Sequence, residues 1–514
     1  MICSIGKFCL IIYIPYAGNL EKYMIDQNMS IIYSFIIYLL FMLGIGAFFY
    51  RRTHNLSDYI LGGRGLNSWV TSLSAQASDM SGWLLLGLPG YAYLAGMESL
   101  WMTAGLALGT WLNWKFIAAR LRRFTHAAGD AITLPVFFEN RLNAKSPALR
   151  IVSALFILIF FLIYTASGFV AGAKLFNTVF GFNYQMALTI GVLVIIGYTF
   201  LGGFWAVSWT DFFQGSIMFI AILTVPWLAI RALHGVGPMI TGLNGIPGYL
   251  DPFHTQTGQS ISLISILSLA GWGLGYFGQP HILARFMAIR HESLIPKARF
   301  IAMNWVILCL LGATLVGLTG RALLVSPLDG AASETVFMVL VNDLVHTWFA
   351  GFLLAAILAA IMSTADSQLL VASSAVTEDL YRLLVRRNAG NRELLWISRS
   401  AVIIIALIAY VIALNPESMV LDLVSYAWAG FGATFGPVIL FSLYWKRMTL
   451  RGALAGMITG GIIVIVWKQL DGGLFDLYEI IPGFVLSMAA IIIFSYMDQK
   501  PGNRVDQFFE LVRN

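Results

Sequence analysis

Apolar segments long enough to cross a lipid bilayer recur along almost the whole chain. A transmembrane helix needs about 20 predominantly apolar residues, and thirteen segments of this sequence meet that need. They cover approximately residues 31–50, 68–95, 98–118, 148–174, 184–201, 208–230, 260–284, 300–320, 346–376, 396–414, 420–443, 452–468 and 475–496. Backbone polar groups inside a bilayer must be satisfied within the chain, as they are in a helix. With 59% hydrophobic and 11% charged residues, the sequence predicts an all-α integral membrane protein with about 13 transmembrane helices and the lipid bilayer as its surroundings.

The basic residues are distributed unevenly between the two sides of this predicted bundle. If the first span starts outside, 25 of the 31 lysines and arginines fall on the cytoplasmic side. Cytoplasmic loops of membrane proteins carry such an excess. The distribution therefore predicts an outside N-terminus and a cytoplasmic C-terminus in a plasma membrane, the inner membrane of a bacterium. The net charge of +6 is a topology signal, and we expect no nucleic acid among the partners.

Three parts of unequal length are expected along the chain. Residues 1–29 form an N-terminal extension, in which Met24 or Met29 is a candidate for the true start. Residues 30–498 form a single transmembrane domain, and residues 499–514 form a short cytoplasmic tail. The three cysteines have the spacing of neither a disulfide framework nor a metal site. We expect no obligatory protein partner.

Two of the predicted spans contain residues that interrupt a helix. The span 68–95 carries Ser78–Gly82 at its middle, and the span 260–284 carries Gly273–Pro280. Glycine and proline free backbone groups, which a membrane tolerates only where protein lines a cavity. The two breaks lie about 200 residues apart, and with five spans in each half the two halves run in opposite directions.

This arrangement predicts a 5+5 inverted repeat. The first repeat covers about 67–232 and the second about 260–444. One span precedes the repeats, and two spans follow them. Transporters built in this way hold substrate and coupling ion at the midplane, beside the broken helices. The sequence therefore indicates ion-coupled transport.

Polar side chains occur at unusual depth in two of the spans. Asp79 lies at the first break, and a carboxylate at mid-membrane costs roughly 2.5–3.5 kcal/mol on insertion scales. The ninth span carries Ser363, Thr364 and Asp366. Hydroxyls and freed carbonyls are hard oxygen ligands that suit sodium. The alternative is that both hydroxyls bond to their own helix, but an acid beside them needs a reason of its own.

Four further residues have both a functional and an ordinary interpretation. Trp272, Tyr276 and Pro280 repeat every four residues, which places them on one face of an α-helix. Aromatic side chains there can cover an apolar solute, although ordinary helix packing explains the same spacing. The default role of Asp211, at a predicted helix start, is an N-terminal cap.

Several long motifs resemble one known family. They are Leu61–Arg64, Ser74–Trp83, Gly271–Leu283 and Met362–Thr364, extended by Ser425–Trp428 and Tyr478–Gly483. In these motifs the chain is similar to proline-transporting members of the sodium/solute symporter family, and the resemblance covers about residues 30–498. The resemblance implies a leucine-transporter-type fold with one extra N-terminal helix and two extra C-terminal helices.

The resemblance also implies an activity and a set of site residues. The implied activity is sodium-coupled uptake of L-proline by alternating access, with Na⁺ as the coupling ion. The implied sodium ligands are the carbonyls of Ala77, Met80 and Ala360 and the hydroxyls of Ser363 and Thr364, with Asp79 nearby. The implied residues of the proline pocket are Ser81, Gly82, Tyr164, Trp272, Tyr276 and Pro280. Coupling or gating would involve Arg64 and Asp211, although a positive-inside charge is the default role of Arg64.

Other functions remain open at this stage. The nearest is a symporter of the same family for another small solute, such as pantothenate, a sugar or a carboxylate. A solute-sensing transceptor and a passive channel are more distant alternatives. An enzyme is not expected, because no nucleophile–base set, metal spacing or phosphate loop occurs at one membrane depth.

Overall fold

The computed structural model describes residues 17–50, 56–199, 203–502, 505 and 508–510. The α-helices of this part of the chain are α1 (Ala17–Tyr50), α2 (Leu56–Leu61), α3 (Ser68–Asp79), α4 (Leu88–Ala95), α5 (Leu100–Leu112), α6 (Ala118–Ala127), α7 (Leu134–Arg141), α8 (Ala148–Phe180), α9 (Tyr184–Thr199), α10 (Phe204–Ala232), α11 (Val236–Leu243), α12 (Leu263–Gly271), α13 (Pro280–Ala288), α14 (Ile295–Leu323), α15 (Val336–Leu344), α16 (Thr347–Ser374), α17 (Asn391–Ile412), α18 (Val420–Tyr444), α19 (Leu450–Trp467) and α20 (Ile480–Met497). Short 3₁₀ segments are Gly62–Arg64, Gly96–Ser99, Trp272–Gly278, Glu292–Leu294, Gly330–Thr335 and Gly473–Asp476. Segments of π-helix are Trp83–Gly87, Asn113–Ile117 and Ala375–Val385. The described residues contain no β-strand, only the isolated bridges Leu66–Ile289 and His254–Ser260.

Nine helical stretches of the described residues are long and apolar enough to cross a membrane. They are Met29–Phe49, Ala148–Phe180, Phe204–Ala232, Glu292–Leu323, Trp348–Val385, Asn391–Ile412, Val420–Tyr444, Leu450–Trp467 and Ile480–Met497. Three of the other four predicted spans, 68–95, 98–118 and 260–284, are divided into shorter helices by the breaks and by π segments. The fourth, 184–201, corresponds to α9, which is described over Tyr184–Thr199. The all-α membrane architecture is confirmed, and the number of thirteen spans stays a prediction.

The first predicted break is present and lies just after Asp79. Helix α3 ends at that residue, and Met80 leaves the helical conformation with φ −86° and ψ 79°. The chain resumes as a π-helix at Trp83. A Cβ atom at Gly82 would lie 2.8 Å from the Cβ of Ala171 on α8, so glycine permits close approach of the break to that helix.

The second predicted break is also present, but it has a tighter pitch than expected. Residues Trp272–Gly278 form a 3₁₀ helix, and Gln279 is extended with ψ 107°. Pro280 then opens α13 at its first turn, where its missing N–H is not needed. Gly275 lies directly against the indole of Trp428 on α18. The 3₁₀ helix therefore packs closely on α18 because this position has no side chain.

The helices around the two breaks form the centre of the molecule. Helix α3 packs against α10, α14 and α16, while the 3₁₀ segment packs against α5 and α18. Helices α19 and α20 pack on each other and on α18, at the outside of the bundle. The two breaks are thereby enclosed by protein rather than by lipid, which is the setting that an interrupted membrane helix requires.

One buried ion pair joins the segment before α15 to this centre. The carboxylate of Glu334 lies 2.6 Å from the ammonium of Lys174 on α8. It also accepts hydrogen bonds from the backbone N–H groups of Val420 and Leu421, at 2.9 and 3.0 Å. A carboxylate at a helix N-terminus satisfies donors that the helix itself leaves open. Glu334 therefore joins the loop before α15 to both α8 and α18.

Candidate functional site

Asp79 connects the first break to the second. Its side chain is fully buried, and its Oδ2 accepts a hydrogen bond of 2.8 Å from the hydroxyl of Tyr276. Its carbonyl accepts from the Tyr164 hydroxyl and the Trp83 indole, both at 3.1 Å. Its other carboxylate oxygen, Oδ1, has no hydrogen-bond partner within the described residues. A buried carboxylate with one unused oxygen is suited to a cation.

The two hydroxyls of the ninth predicted span meet the first break. Ser363 donates to the carbonyl of Ala77 at 2.7 Å, and Thr364 donates to the same carbonyl at 3.3 Å. Ser363 also lies 3.2 Å from the carbonyl of Ala360 on its own helix. The structure thus contains both arrangements that the sequence left open. Ser363 is within hydrogen-bond distance of a carbonyl of its own helix, and both hydroxyls contact a carbonyl of α3.

These groups provide a set of oxygens suited to sodium. Four of the five implied ligand residues are in direct contact, and the fifth, Met80, follows the end of α3 with its peptide out of the helical conformation. Carbonyl and hydroxyl oxygens are hard ligands without fixed charge, which sodium accepts. Asp79, two residues after Ala77, has a carboxylate, which is a group suited to compensating the charge of a cation.

Aromatic residues of the 3₁₀ segment, of α18 and of the residues before α20 pack together next to Asp79. The ring of Tyr276 lies edge-on to Trp428, with 5.0 Å between centroids. Trp272 stacks on Tyr478 at 5.5 Å, and its carbonyl accepts a 2.7 Å hydrogen bond from the Trp428 indole. Ser81 belongs to the first break, where its Oγ accepts from the N–H of Trp83 at 3.4 Å.

The prediction that Trp272, Tyr276 and Pro280 share one helix face is wrong. A 3₁₀ helix has three residues per turn, so side chains four residues apart point about 120° away from each other. Tyr276 faces Asp79, whereas Pro280 begins α13 and lines a separate cavity with Met287 and Asp379. Pro280 therefore lies at the start of α13, in surroundings different from those of Tyr276.

The default interpretation of Asp211 as a helix cap is also wrong. It lies well inside α10, fully buried, with its Oδ2 3.1 Å from the guanidinium of Arg285. The hydroxyls of Ser74 and Ser78 donate to the same oxygen at 2.7 and 3.1 Å. Ser78, which contacts Asp211, directly follows Ala77 in sequence. The Asp211–Arg285 ion pair therefore adjoins the carbonyl of Ala77, to which Ser363 and Thr364 donate.

Arg64 is likewise more than a positive charge at the membrane surface. It is buried and donates to the carbonyls of Met287 and Ala131, at 2.7 and 2.8 Å, and its Nε lies 2.7 Å from Asp130. Burial lowers the pKa of Arg64 to about 10, and the charge of Asp130 opposes the shift. Its φ of 54° is left-handed, a conformation that a non-glycine residue adopts only where its surroundings hold it.

A model of the Sodium:solute symporter family matches residues 59–460. The chain belongs to this family. Two curated family members named sodium/proline symporter, from Salmonella typhimurium and Escherichia coli K12, are each 50% identical to it. Their alignments cover 93% of this chain and 95% of theirs. A Staphylococcus aureus protein of the same name is 46% identical, over 97% of this chain and 98% of its own.

Solved transporters share the fold at low sequence identity. A Na⁺-coupled sialic acid symporter in a substrate-bound, outward-open state has a TM-score of 0.77 and 17% identity, covering 92% of this chain and 99% of its own. A nucleobase-cation-symport-1 family transporter has a TM-score of 0.53 and 14% identity, with 89% and 99% covered. The leucine-transporter-type fold predicted for this family member is thereby confirmed.

Sequence reasoning overlooked two residues of this site. Arg285 was counted only as a cytoplasmic charge, although it follows an apolar span by a single residue. His281 is buried, with its ring edge-on to Phe161 and Tyr164, and neither ring nitrogen has a hydrogen-bond partner within the described chain. Its position directly after Pro280 in the second break was the available signal.

Proposed function

We propose that this chain is a sodium-coupled symporter that takes up L-proline by alternating access. The observation that carries the proposal is the contact of both breaks at one point, where Ser363 and Thr364 meet Ala77 and Tyr276 meets Asp79. The three relatives named sodium/proline symporter support proline as the substrate and Na⁺ as the coupling ion.

In this proposal sodium is bound by oxygens of the first break and the ninth span. Its ligands are the carbonyls of Ala77, Met80 and Ala360 and the hydroxyls of Ser363 and Thr364. Asp79 compensates the charge from nearby. When the ion binds, the two hydroxyls turn their lone pairs toward it, and their present hydrogen bonds to carbonyls are given up. Sodium thereby holds α3 and α16 together.

Proline would bind beside sodium, between the first break and the 3₁₀ segment. Ser81 and Gly82 directly precede the π-helix that begins at Trp83, and the dipole at a helix start favours the substrate carboxylate. Tyr164, Trp272 and Tyr276 supply aromatic surface for the pyrrolidine ring. Pro280 would act at a distance by setting where α13 begins.

Orientation, location and domain limits belong to the same proposal. The distribution of basic residues supports an outside N-terminus and a cytoplasmic C-terminus in a bacterial inner membrane. Residues 30–498 would be the transporter domain, with repeats at about 67–232 and 260–444. Arg64 and Asp211 each join separate elements of the chain, which supports a role in coupling or gating.

The energy of one sodium ion is sufficient for concentrative uptake. Moving one charge through about 100 mV yields roughly 2.3 kcal/mol, and a tenfold sodium gradient adds about 1.4 kcal/mol. The total of about 3.7 kcal/mol supports roughly 500-fold accumulation of a neutral zwitterion at 1:1 stoichiometry.

The deciding experiment is uptake of labelled L-proline into proteoliposomes that hold the purified protein. An inward sodium gradient is compared with a potassium gradient of the same size and membrane potential. We expect concentrative uptake with sodium only. Absence of uptake by protein that melts cooperatively would overturn proline as the substrate. Sodium-dependent uptake of labelled pantothenate, sugars and short carboxylates would then identify another solute.

A further inference from the structure

Helix α20 begins against the second break. A Cβ atom at Gly271, the residue before the 3₁₀ segment, would lie 2.8 Å from the Cδ1 of Ile481. A Cβ atom at Gly432 on α18 would lie 2.6 Å from the Cδ1 of Ile480, the first residue of α20. The start of α20 therefore packs on the beginning of the second break and on α18, at two positions that have no side chain.

Tyr478, two residues before α20, is fixed by contacts with three elements. Its hydroxyl donates to the carbonyl of Ser425 on α18 at 2.6 Å. Its backbone N–H donates to the hydroxyl of Ser268 on α12 at 2.9 Å. Its ring stacks on Trp272 of the 3₁₀ segment, with 5.5 Å between centroids and 28° between planes. Because the two hydrogen bonds hold opposite ends of Tyr478, its ring is held in place independently of Trp272.

The Trp272 indole is oriented by this stacked ring. Trp272 is buried, with 5% of its surface exposed, and its carbonyl accepts a hydrogen bond of 2.7 Å from the indole of Trp428. That bond fixes the main chain of Trp272, whereas the ring of Tyr478 occupies one face of its indole. A solute that packs on the Trp272 indole must therefore use the other face or an edge.

We propose that Tyr478 is a positioning residue that makes the site selective for a solute with a five-membered ring. It holds the Trp272 indole and thereby sets the width of the space beside it. This inference rests on the proposed function, in which Trp272 packs on the pyrrolidine ring of proline. Tyr478 lies outside both proposed repeats, so ring-size selectivity would depend on a part of the chain that the inverted repeat does not contain.

Loss of the Tyr478 ring should widen the solute space. The Trp272 indole could then turn toward the vacated volume, and its other face would move away from the solute. Proline would lose contact, while pipecolate, the homologue with a six-membered ring, would gain room. A stacked aromatic pair corresponds to about 2- to 12-fold in an equilibrium constant, which sets the scale of the expected change.

The test is sodium-dependent uptake of labelled proline into proteoliposomes, with unlabelled pipecolate as the competitor. Tyr478→Leu and Tyr478→Met remove the ring, and two such variants are used in case one fails to fold. In both we expect the half-saturating proline concentration to rise by about 2- to 12-fold, with a shift of similar size in preference toward pipecolate. Tyr478→Phe keeps the ring and should keep most of the original preference. A lower maximal rate or melting temperature with unchanged preference would show a purely structural role and overturn the proposal.

A double-variant cycle tests whether Tyr478 acts through Trp272. In a Trp272→Leu background there is no indole to position, so Tyr478→Leu should cause no further change in preference. Residues that act as one unit have non-additive effects, whereas independent residues have additive free-energy effects. Additive effects of Trp272→Leu and Tyr478→Leu would therefore overturn the proposal.

The matched control is a stacked tyrosine–tryptophan pair outside the proposed site. Tyr33 on α1 stacks on Trp348 of α16, with 6.1 Å between centroids and 17° between planes. Tyr33→Leu should leave the preference between proline and pipecolate unchanged, and an equal shift in this control would overturn the role of Tyr478.

The wild-type chain in the same assay separates this proposal from the proposed function. Absence of sodium-dependent proline uptake by the wild type would overturn the proposed function. The variants would then be compared on the solute that the wild type does take up, against the homologue of that solute with one more methylene group. An unchanged preference in Tyr478→Leu and Tyr478→Met would overturn the role of Tyr478 for that solute as well.

Discussion

At the scale of single residues, the candidate site depends on a few polar atoms with exact partners. The hydroxyls of Ser363 and Thr364 lie within hydrogen-bond distance of one carbonyl, that of Ala77. Asp79 is held on one side by Tyr276. Each of these atoms is in the protein interior, where a missing partner costs more than it does in water. Changes of one or a few atoms should therefore separate sodium binding from protein stability.

Thr364→Ala removes one proposed sodium ligand and should weaken sodium activation of uptake. Loss of a hydrogen-bond-type contact to a charge corresponds to an increase of roughly tenfold to a hundredfold in the half-activating sodium concentration. The measurement is initial proline uptake against sodium concentration. Thr364→Ser keeps the oxygen and should retain most of the affinity. Thr319→Ala is the control, because that hydroxyl bonds only within its own helix in the described chain. Equal effects at both threonines would contradict a ligand role.

Tyr276→Phe removes the donor to Asp79 but keeps the ring contact with Trp428. We expect the half-activating sodium concentration to rise by about tenfold, because the carboxylate loses its hydrogen bond within a buried site. Uptake kinetics with sodium and with proline varied separately provide the measurement. Tyr249→Phe, which deletes a buried hydroxyl bonded to the carbonyls of Ala92 and Tyr93, should leave sodium activation unchanged. A rise only in the half-saturating proline concentration would assign Tyr276 to the substrate alone.

At the scale of helices, each break has a different cause and a different geometry. The first break follows small and polar residues and continues as a π-helix, whereas the second contains three glycines within a 3₁₀ helix. The glycines allow backbone contact with α5 and α18 that side chains would prevent. The second break is therefore maintained by packing as well as by its own sequence.

Gly275→Ala places a methyl group where the indole of Trp428 lies. Overpacking of this kind costs about 1–3 kcal/mol, so we expect a lower melting temperature and less protein in the membrane. Gly237→Ala is the control, since a Cβ there has no described atom within 4 Å. An unchanged melting temperature in Gly275→Ala would mean that α18 moves away at no cost.

At the scale of the whole molecule, coupling requires that the two ligands stabilise one arrangement of the helices. The proposed sodium ligands come from α3 and α16, while the proposed proline contacts come from the first break, α8 and the 3₁₀ segment. The two sets share Asp79, whose backbone and side chain accept from Tyr164 and Tyr276. We therefore expect a change at one proposed site to affect the other through these contacts.

Linkage makes this coupling measurable without transport. If sodium raises proline affinity by some factor, proline must raise sodium affinity by the same factor, and typical coupling corresponds to about 5–150-fold. Equilibrium binding of labelled proline at several sodium concentrations gives the first factor. Sodium-dependent stabilisation with and without proline gives the second. Proline affinity that does not depend on sodium would contradict coupled binding at this site.

The membrane architecture and the positions of both breaks were available from the sequence, since they depend on local composition. Apolar length predicts spans, and glycine and proline predict where a span is interrupted. The same reasoning singled out Asp79, Ser363 and Thr364, because a polar group at membrane depth is noticeable without any knowledge of its partner.

Only the tertiary structure decided which of these groups meet and which way they face. The pairing of Asp211 with Arg285 joins residues 74 positions apart. The four-residue spacing of Trp272 and Tyr276 does not place them on one face, because their segment is a 3₁₀ helix and not an α-helix. The hydropathy of a segment depends only on its own residues, and so it predicts whether that segment can cross the bilayer. A contact between two distant segments depends on how all the helices pack, and this packing is a property of the whole chain.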